Sequence, residues 1–126
     1  MKKIIKTELA PVPIGPYNQA TEHNETLYIS GQIAINPASG ELVQGSIEDE
    51  THQVLSNVGA ILSAAGYRFQ DVLKCSVFVK DMHEFGKINV IYAEYFGEDN
   101  APARELVEVT NLPKFVNIEI SAIAAK

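Results

Sequence analysis

Residues 101–124 read APARELVEVTNLPKFVNIEISAIA and contain two strand-like segments separated by a turn. The first segment spans 105–109 and the second spans 116–124. Pro113, which has no N–H to donate to a sheet, lies between them. Side chains in the second segment alternate between apolar and polar, which predicts a strand with one buried face. The apolar face carries Val116, Ile118, Ile120 and Ala122, and the opposite face carries Asn117, Glu119 and Ser121.

Two charged residues in this stretch are candidates for chemistry. Glu119 lies inside an otherwise apolar strand, where a carboxylate costs stability unless it is paired or solvated. It is either the partner of a lysine or arginine in the sheet, or a general base that activates a water molecule. Arg104, just before the first strand, forms either a surface salt bridge or two parallel hydrogen bonds to a substrate carboxylate, a task that suits guanidinium geometry.

The composition excludes several classes of protein. The 126 residues suffice for one domain (1–126) with a real core, and the net charge of −6 argues against binding to a nucleic-acid backbone. Cys75 is the only cysteine, so neither an internal disulfide nor a thiolate metal cluster is expected, and we interpret it as an inert core residue. No apolar run approaches the ~20 residues that cross a bilayer, and residues 1–13 lack the pattern of a signal peptide, so a cytoplasmic location is expected.

Residues 27–35, LYISGQIAI, form the clearest strand in the first half of the chain. Gly31 lies in mid-strand on its apolar face, where a glycine often marks a bulge or the close approach of a ligand. Weaker patterns predict a short edge strand at 2–7 and a short return strand at 41–43. The alternation in 27–35 places Leu27, Ile29, Ile33 and Ile35 on one face, and Tyr28, Ser30, Gln32 and Ala34 on the other.

Two amphipathic helices follow these strands. Ser46 caps the first helix, whose apolar positions recur at helical spacing until Gly66 ends it. A strand at 72–80 then leads to the second helix, which Asp81 is predicted to cap. Asn89 lies beside the packed face of that helix, either as a structural hydrogen-bonding residue or as part of a site.

The predicted order of elements is β, β, (β), α, β, α, β, β, which indicates an α+β domain. Its mixed sheet has five or six strands, and the two helices suffice to cover only one face. The uncovered face is predicted to be either solvated or buried against another subunit. It would carry Tyr28, Ser30, Gln32, Asn117, Glu119 and Ser121.

No strong catalytic or metal-binding motif of the spacing kind is present. The three histidines are far apart in the sequence and are interpreted as surface residues: His23, His52 and His83. Tyr17, at the end of a segment kept extended by prolines 11, 13 and 16, is either a packing anchor or a site residue. Ser30 is either an ordinary polar-face residue or part of the same site.

Taken together, six segments resemble the Rid family, the reactive intermediate deaminases of the RidA type, over nearly the whole chain. The segments are GPYNQA at 15–20, LYISGQIAINPASGEL at 27–42, THQVLSNVGAILSAAG at 51–66, VFVKDMHEFGKINVIYAEYF at 77–96, PAR at 102–104 and LPKFVNIEISAIA at 112–124. The resemblance implies a chorismate-mutase-like domain that forms a homotrimer, with three sites in clefts between adjacent subunits. It implies hydrolysis of 2-imino acids and their enamines, such as 2-iminobutanoate, 2-iminopropanoate and 2-aminoacrylate, to 2-oxo acids and ammonia, without a cofactor or metal.

The resemblance also implies residue roles. Arg104 would bind the substrate carboxylate, Glu119 would orient and activate the attacking water, and Tyr17 would supply a hydroxyl. Further substrate-binding positions would be Ser30, Gly31, Asn89 and the backbone N–H of Leu106.

Three residues depart from the pattern common in the family. Leu106 stands where many members have cysteine, and Ser121 stands where a second glutamate is common. Glu105 is adjacent to Arg104, but strand alternation predicts that its side chain lies on the opposite face.

Two other classes of function remain open at this stage. Members of the family have carried endoribonuclease and translation-inhibitor labels, although the charge and the absence of paired histidines count against nucleic acid here. The third possibility is a non-catalytic protein that binds small carboxylates or regulates a partner through the same cleft.

Overall fold

The computed structural model describes residues 1–126 and contains six strands and two α-helices. The strands form one mixed sheet in the order β1-β2-β3-β6-β4-β5, in which only β4 and β5 are parallel neighbours. This architecture confirms the predicted α+β domain with two helices. In chain order the elements are β1 (Lys3–Ile5), β2 (Ala20–His23), β3 (Thr26–Gln32), α1 (Ile47–Ala64), β4 (Val72–Val79), α2 (Phe85–Phe96), β5 (Ala103–Glu108) and β6 (Ile118–Ala125).

Both helices pack on the same face of the sheet, and the main core lies between them and the central strands. Strand β6, between β3 and β4, alternates as predicted: Ile118, Ile120, Ala122 and Ala124 are buried, and the residues between them are partly exposed. From the helices, the same core receives Val54, Leu55, Val58, Ile61, Leu62, Ile88, Tyr92 and Phe96. The other face of the sheet carries no helix.

The helix ends differ slightly from prediction. Ser46 caps α1 as expected, because its Oγ accepts a hydrogen bond from the Asp49 backbone N–H at 3.0 Å. Asp81 does not cap α2 itself. It accepts from the His83 backbone N–H at the start of a 3₁₀ turn, Met82–Glu84, which precedes α2. Tighter 3₁₀ turns are common at helix starts, and spacing alone does not reveal them.

A β-hairpin that the sequence pattern does not predict joins β2 to β3. Strand β2 is short and polar, so it shows no alternation, and the predicted return strand at 41–43 is only a single bridge between Ile35 and Leu42. The turn consists of Asn24 and Glu25, with φ of 49° and 61°. Two successive left-handed residues form the type I′ turn that suits the twist of a two-residue hairpin.

Replacing Glu25 with glycine is expected to stabilise the protein by roughly 0.5–1 kcal/mol, because glycine adopts this φ without the steric cost that a Cβ brings. The matched control is Thr26→Gly, in the adjoining strand, which is expected to lower stability instead. Chemical denaturation of both variants checks the pair. A Glu25→Gly variant less stable than the parent would contradict the assigned turn.

A β-bulge at Ser30 and Gly31 changes the predicted faces of β3. Ile29 pairs with Ala122 and Gln32 with Ile120, so β3 has one extra residue between these pairs. An extra residue inverts the alternation beyond it.

The prediction that four apolar residues of 27–35 share one face is therefore wrong. Leu27 and Ile29 enter the main core, whereas Ile33 and Ile35 form a second apolar cluster with Leu112 and Val116. Gln32, predicted on the uncovered face, is buried opposite Ile120.

Asn117 also departs from the predicted alternation. Its side chain donates to Glu50 Oε1 on α1 at 2.6 Å, so it points toward the helices. Strand β6 begins only at Ile118, and the residues before it are not bound by its two-residue period.

Candidate active site

A cleft of about 370 Å³ opens beside the helix-free face of the sheet. It contains four of the predicted site residues, namely Tyr17, Ser30, Gly31 and Glu119. Its remaining walls are largely apolar and come from the proline-rich segment before β2, from the end of β3 and from Pro113. None of the lining residues is lysine, arginine or histidine, so the cleft of a single chain has no cation to bind an anionic group.

Glu119 lies against the bulge in β3. A Cβ added to Gly31 would lie only 2.8 Å from the Glu119 Cδ and closer still to Oε2, so the glycine provides the space that the carboxyl group occupies. Within the chain this carboxyl group makes neither an ion pair nor a hydrogen bond, which excludes the interpretation as an intrachain salt-bridge partner. Burial raises the pKa of Glu119.

Replacing Gly31 with alanine is expected to displace the Glu119 carboxyl group. If the chain has the imine hydrolysis that the sequence motifs imply, its rate is expected to fall by about tenfold or more, because catalytic groups are sensitive to small displacements. The matched control is Gly86→Ala, because an added Cβ there meets no atom within 4 Å. Thermal unfolding and steady-state rates of both variants check this. Full activity in Gly31→Ala would show that the close approach has no catalytic role.

Tyr17 and Ser30 line the cleft but are also held by backbone groups. The Tyr17 hydroxyl accepts a hydrogen bond from the Ile14 backbone N–H at 3.3 Å, and the tyrosine side chain remains about half exposed. Ser30 Oγ donates to the Asn18 carbonyl at 2.6 Å. Ser30 therefore has a structural role in joining the bulge to the proline-rich segment, and only its lone pairs remain free to accept from a ligand.

Arg104 lies on the edge strand β5, outside this cleft. Its Nη1 donates to Asn89 Oδ1 at 2.8 Å, and its Cζ lies 4.8 Å from the centre of the Tyr92 ring. No carboxylate pairs with it in the chain, so the alternative of an intrachain salt bridge is excluded. Asn89 uses its side chain to orient this guanidinium group rather than to cap a helix.

Tyr92 also contacts Arg104. The sequence does not identify it as functional, because its spacing fits the apolar stripe of α2. Its ring is buried beneath Arg104, in the geometry of a cation–π contact. Its hydroxyl is buried beside the Cys75 thiol and has no partner in good hydrogen-bond geometry. Burial raises the pKa of the Cys75 thiol, which keeps it neutral and agrees with an inert core cysteine.

The register of the sheet places Arg104 and Glu119 on opposite faces. Arg104 aligns with Cys75, which belongs to the main core beneath the helices. Glu119 pairs with Phe78, which lies three residues after Cys75 in β4 and therefore points to the opposite face of the sheet. One chain therefore does not bring the two charged groups together, and a site that uses both requires two chains.

Glu105 does not compete for Arg104. Its carboxylate pairs with Lys74 Nζ at 3.0 Å and accepts from Ser76 Oγ, on the opposite face, as strand alternation predicts. The hydrogen bond from Ser76, and after it the one from Lys74, lowers the pKa of Glu105. The Leu106 side chain packs against the core, and β5 has a strand neighbour on one side only, so backbone groups on its open edge remain available.

The histidines do not converge. His83 lies 2.8 Å from Asp81, and His52 lies 3.0 Å from the Tyr95 hydroxyl, in different parts of the surface. No group of three or more histidine, cysteine, aspartate or glutamate side chains is placed to hold a metal ion. Neither helix is both long and apolar enough to span a bilayer.

The family described as "Endoribonuclease L-PSP" matches residues 7–126. The chain belongs to this family, the Rid family that the sequence motifs indicated. A RutC family protein of Pyrococcus horikoshii is 58% identical over 126 residues, covering 100% of this chain and 99% of the relative. A mouse protein named 2-iminobutanoate/2-iminopropanoate deaminase is 45% identical over 126 residues, covering 100% and 93%.

Solved structures of Rid proteins share the whole fold. A Rid-family protein of unknown function from Yersinia pestis superposes with a TM-score of 0.97 at 44% identity, covering 100% of both chains. The overall fold of this chain is therefore that of a Rid-family domain.

Proposed function

We propose that this Rid-family protein hydrolyses 2-imino acids and their enamines to 2-oxo acids and ammonia, in clefts between the subunits of a homotrimer. One observation carries the proposal: each chain presents a carboxyl group without a cation on one face, and a guanidinium group without an anion at the sheet edge. A neighbouring chain that brings its Arg104 to the mouth of the cleft would complete a site for a small carboxylate. The mouse relative named as such a deaminase supports this substrate class.

In the proposed site each residue has a distinct role. Arg104, held by Asn89 and the Tyr92 ring, binds the substrate carboxylate, together with the backbone N–H of Leu106 on the open edge. Glu119 orients and deprotonates the attacking water. The Tyr17 hydroxyl and the bulge at Ser30 and Gly31 surround the reacting carbon, and the apolar walls accept the aliphatic side chain.

The chemistry requires only these groups. The carbon of a protonated imine is already electrophilic, so water attacks it while Glu119 accepts one proton from that water. The carbinolamine nitrogen then receives this proton from Glu119. As the C–N bond breaks to release ammonia, Glu119 takes the proton of the hydroxyl group, which leaves the 2-oxo acid, and the carboxyl group then loses that proton to solvent. A positioned base of this kind contributes about 10²–10⁴-fold. Binding both reactants in one cleft contributes further by orientation.

RNA cleavage is less consistent with the same geometry, although the family description names an endoribonuclease. The cleft is lined by no basic residue, and the chain carries a net charge of −6. Phosphate binding depends on clustered lysine and arginine side chains.

A non-catalytic protein that binds small carboxylates would use the same Arg104 site, but its ligand binding would not depend on Glu119.

The deciding experiment supplies 2-iminobutanoate in situ from threonine and a pyridoxal-phosphate dehydratase, and measures 2-oxobutanoate formation with and without the purified protein. The proposal predicts catalysis well above spontaneous hydrolysis, and no cleavage of single-stranded RNA. Hydrolysis no faster than in buffer would refute the deaminase activity. Binding of 2-oxobutanoate without catalysis would instead support a protein that only binds small carboxylates.

A further inference from the structure

One wall of the cleft is formed by the proline-rich segment between β1 and β2. Val12, Ile14 and Tyr17 of this segment all line the cleft. The segment has no regular secondary structure, and its one internal backbone hydrogen bond joins Tyr17 to Gly15. Val12 and Ile14 are exposed, so packing of their side chains does not fix the wall. Something else must hold its backbone in place.

The side chain of Gln19 supplies these contacts. It is 3% exposed, and its Oε1 accepts from the Thr7 backbone N–H at 2.7 Å. Its Nε2 donates to the carbonyls of Thr7 at 3.0 Å, Pro11 at 2.9 Å and Ala10 at 3.2 Å. Both amide hydrogens are therefore committed to backbone carbonyls, and the side chain has none to offer a substrate.

The backbone of Gln19 is tied to the bulge at the same time. Its carbonyl accepts from the Ser30 N–H at 3.0 Å, next to the glycine against which Glu119 lies. Gln19 thus connects the start of the segment to the part of β3 that positions the carboxyl group. Further along the segment, the Ile14 N–H to Tyr17 hydroxyl bond makes the tyrosine move with the wall.

We infer that Gln19 is a positioning residue of the active site, whose amide fixes the proline-rich wall and so holds Tyr17 in place in the cleft that Glu119 also lines. The inference rests on the proposed function, because the readout is imine hydrolysis. Gln19 acts through Tyr17 and the wall, and the carboxylate-binding half-site around Arg104 is independent of it. Loss of the amide therefore lowers kcat and leaves KM nearly unchanged.

The test is a double-mutant cycle between Gln19→Met and Tyr17→Phe, since methionine matches glutamine in length and lacks the amide. Each single variant is expected to lower kcat by about tenfold or more, and Tyr17→Phe is expected to cost less than about twofold in the Gln19→Met background. Gln70→Met is the control for the same chemical change, because Gln70 is exposed and does not line the cleft. Additive effects, or a loss confined to KM, would overturn the inference.

Gln19→Glu keeps the test decisive if the methionine variant does not fold. A protonated glutamate retains one donor for the wall carbonyls, whereas an ionised one repels them. The ratio of its kcat to that of the parent is expected to fall as the pH rises through glutamate ionisation. A ratio independent of pH would overturn the inference. If the parent protein does not hydrolyse the imine, both the proposed function and this inference are wrong. If the parent is active but the effects of the two substitutions on kcat are additive, only the role of Gln19 is refuted.

Discussion

Replacing Arg104 with alanine is expected to abolish useful turnover of 2-iminobutanoate, with kcat/KM reduced by about 10²–10⁴-fold. This range corresponds to two charge-assisted hydrogen bonds of about 1.5–3 kcal/mol each. The guanidinium group is exposed at the sheet edge and is oriented by Asn89 and the Tyr92 ring, so its removal leaves the core intact. Steady-state kinetics in the coupled dehydratase assay measure the loss.

Two control variants separate the role of geometry from that of charge. Arg104→Lys keeps the cation without the paired donors and is expected to fall between the parent and the alanine variant. Arg68→Ala removes an arginine that lies 3.7 Å from Asp71 on the surface, and is expected to have no effect on kinetics. Unchanged rates in Arg104→Ala would show that the substrate carboxylate is bound elsewhere.

Replacing Glu119 with glutamine is expected to lower kcat by about 10²–10⁴-fold, because the amide has the same shape but accepts no proton from water. Binding of the product 2-oxobutanoate is expected to persist, since Arg104 is unchanged. Calorimetry of product binding beside the kinetic assay tests the separation. The control is Glu98→Gln, at an exposed position, which is expected to have the same kinetics as the parent. Retained hydrolysis in Glu119→Gln would show that Glu119 is not the general base.

The raised pKa of Glu119 also sets the direction of two pH effects. The base must be ionised, so kcat is expected to fall on the acid side through a pKa above the ordinary glutamate value.

The native state binds the proton of Glu119 more tightly than the unfolded state, so this group lowers stability as the pH rises between its unfolded and folded pKa values. Above that window Glu119→Gln is expected to be more stable than the parent, and pH-dependent denaturation checks this. A less stable glutamine variant would mean that the carboxylate is paired.

Much of the fold follows from local pattern. The alternation of β6 and the apolar spacing of both helices persist in the structure, because strand and helix periods act on consecutive residues. The bulge at Gly31 could be suspected from a mid-strand glycine, but its effect on Ile33 and Ile35 depends on the register with a strand about ninety residues away. Local pattern does not predict the hairpin strand β2, because a polar strand of four residues is too short to show a period.

The predicted site residues divide into two groups that sequence alone does not separate. Tyr17, Ser30, Gly31 and Glu119 share the cleft, whereas Arg104 and Asn89 meet on the other side of the sheet. The sequence does not reveal the roles of Gln19 and Tyr92, because their partners lie 8–12 and 12 positions away in the chain and come close only when the chain has folded.

The most direct test of the central claim mixes two inactive proteins. Arg104→Ala and Glu119→Gln chains are denatured together in equal amounts, refolded and assayed, with each variant refolded alone as a control. If every site takes Arg104 from one chain and Glu119 from the next in a closed trimer, random assembly restores about one quarter of the parental turnover. If the mixture stays as inactive as its two components, the two residues do not act together across a subunit interface.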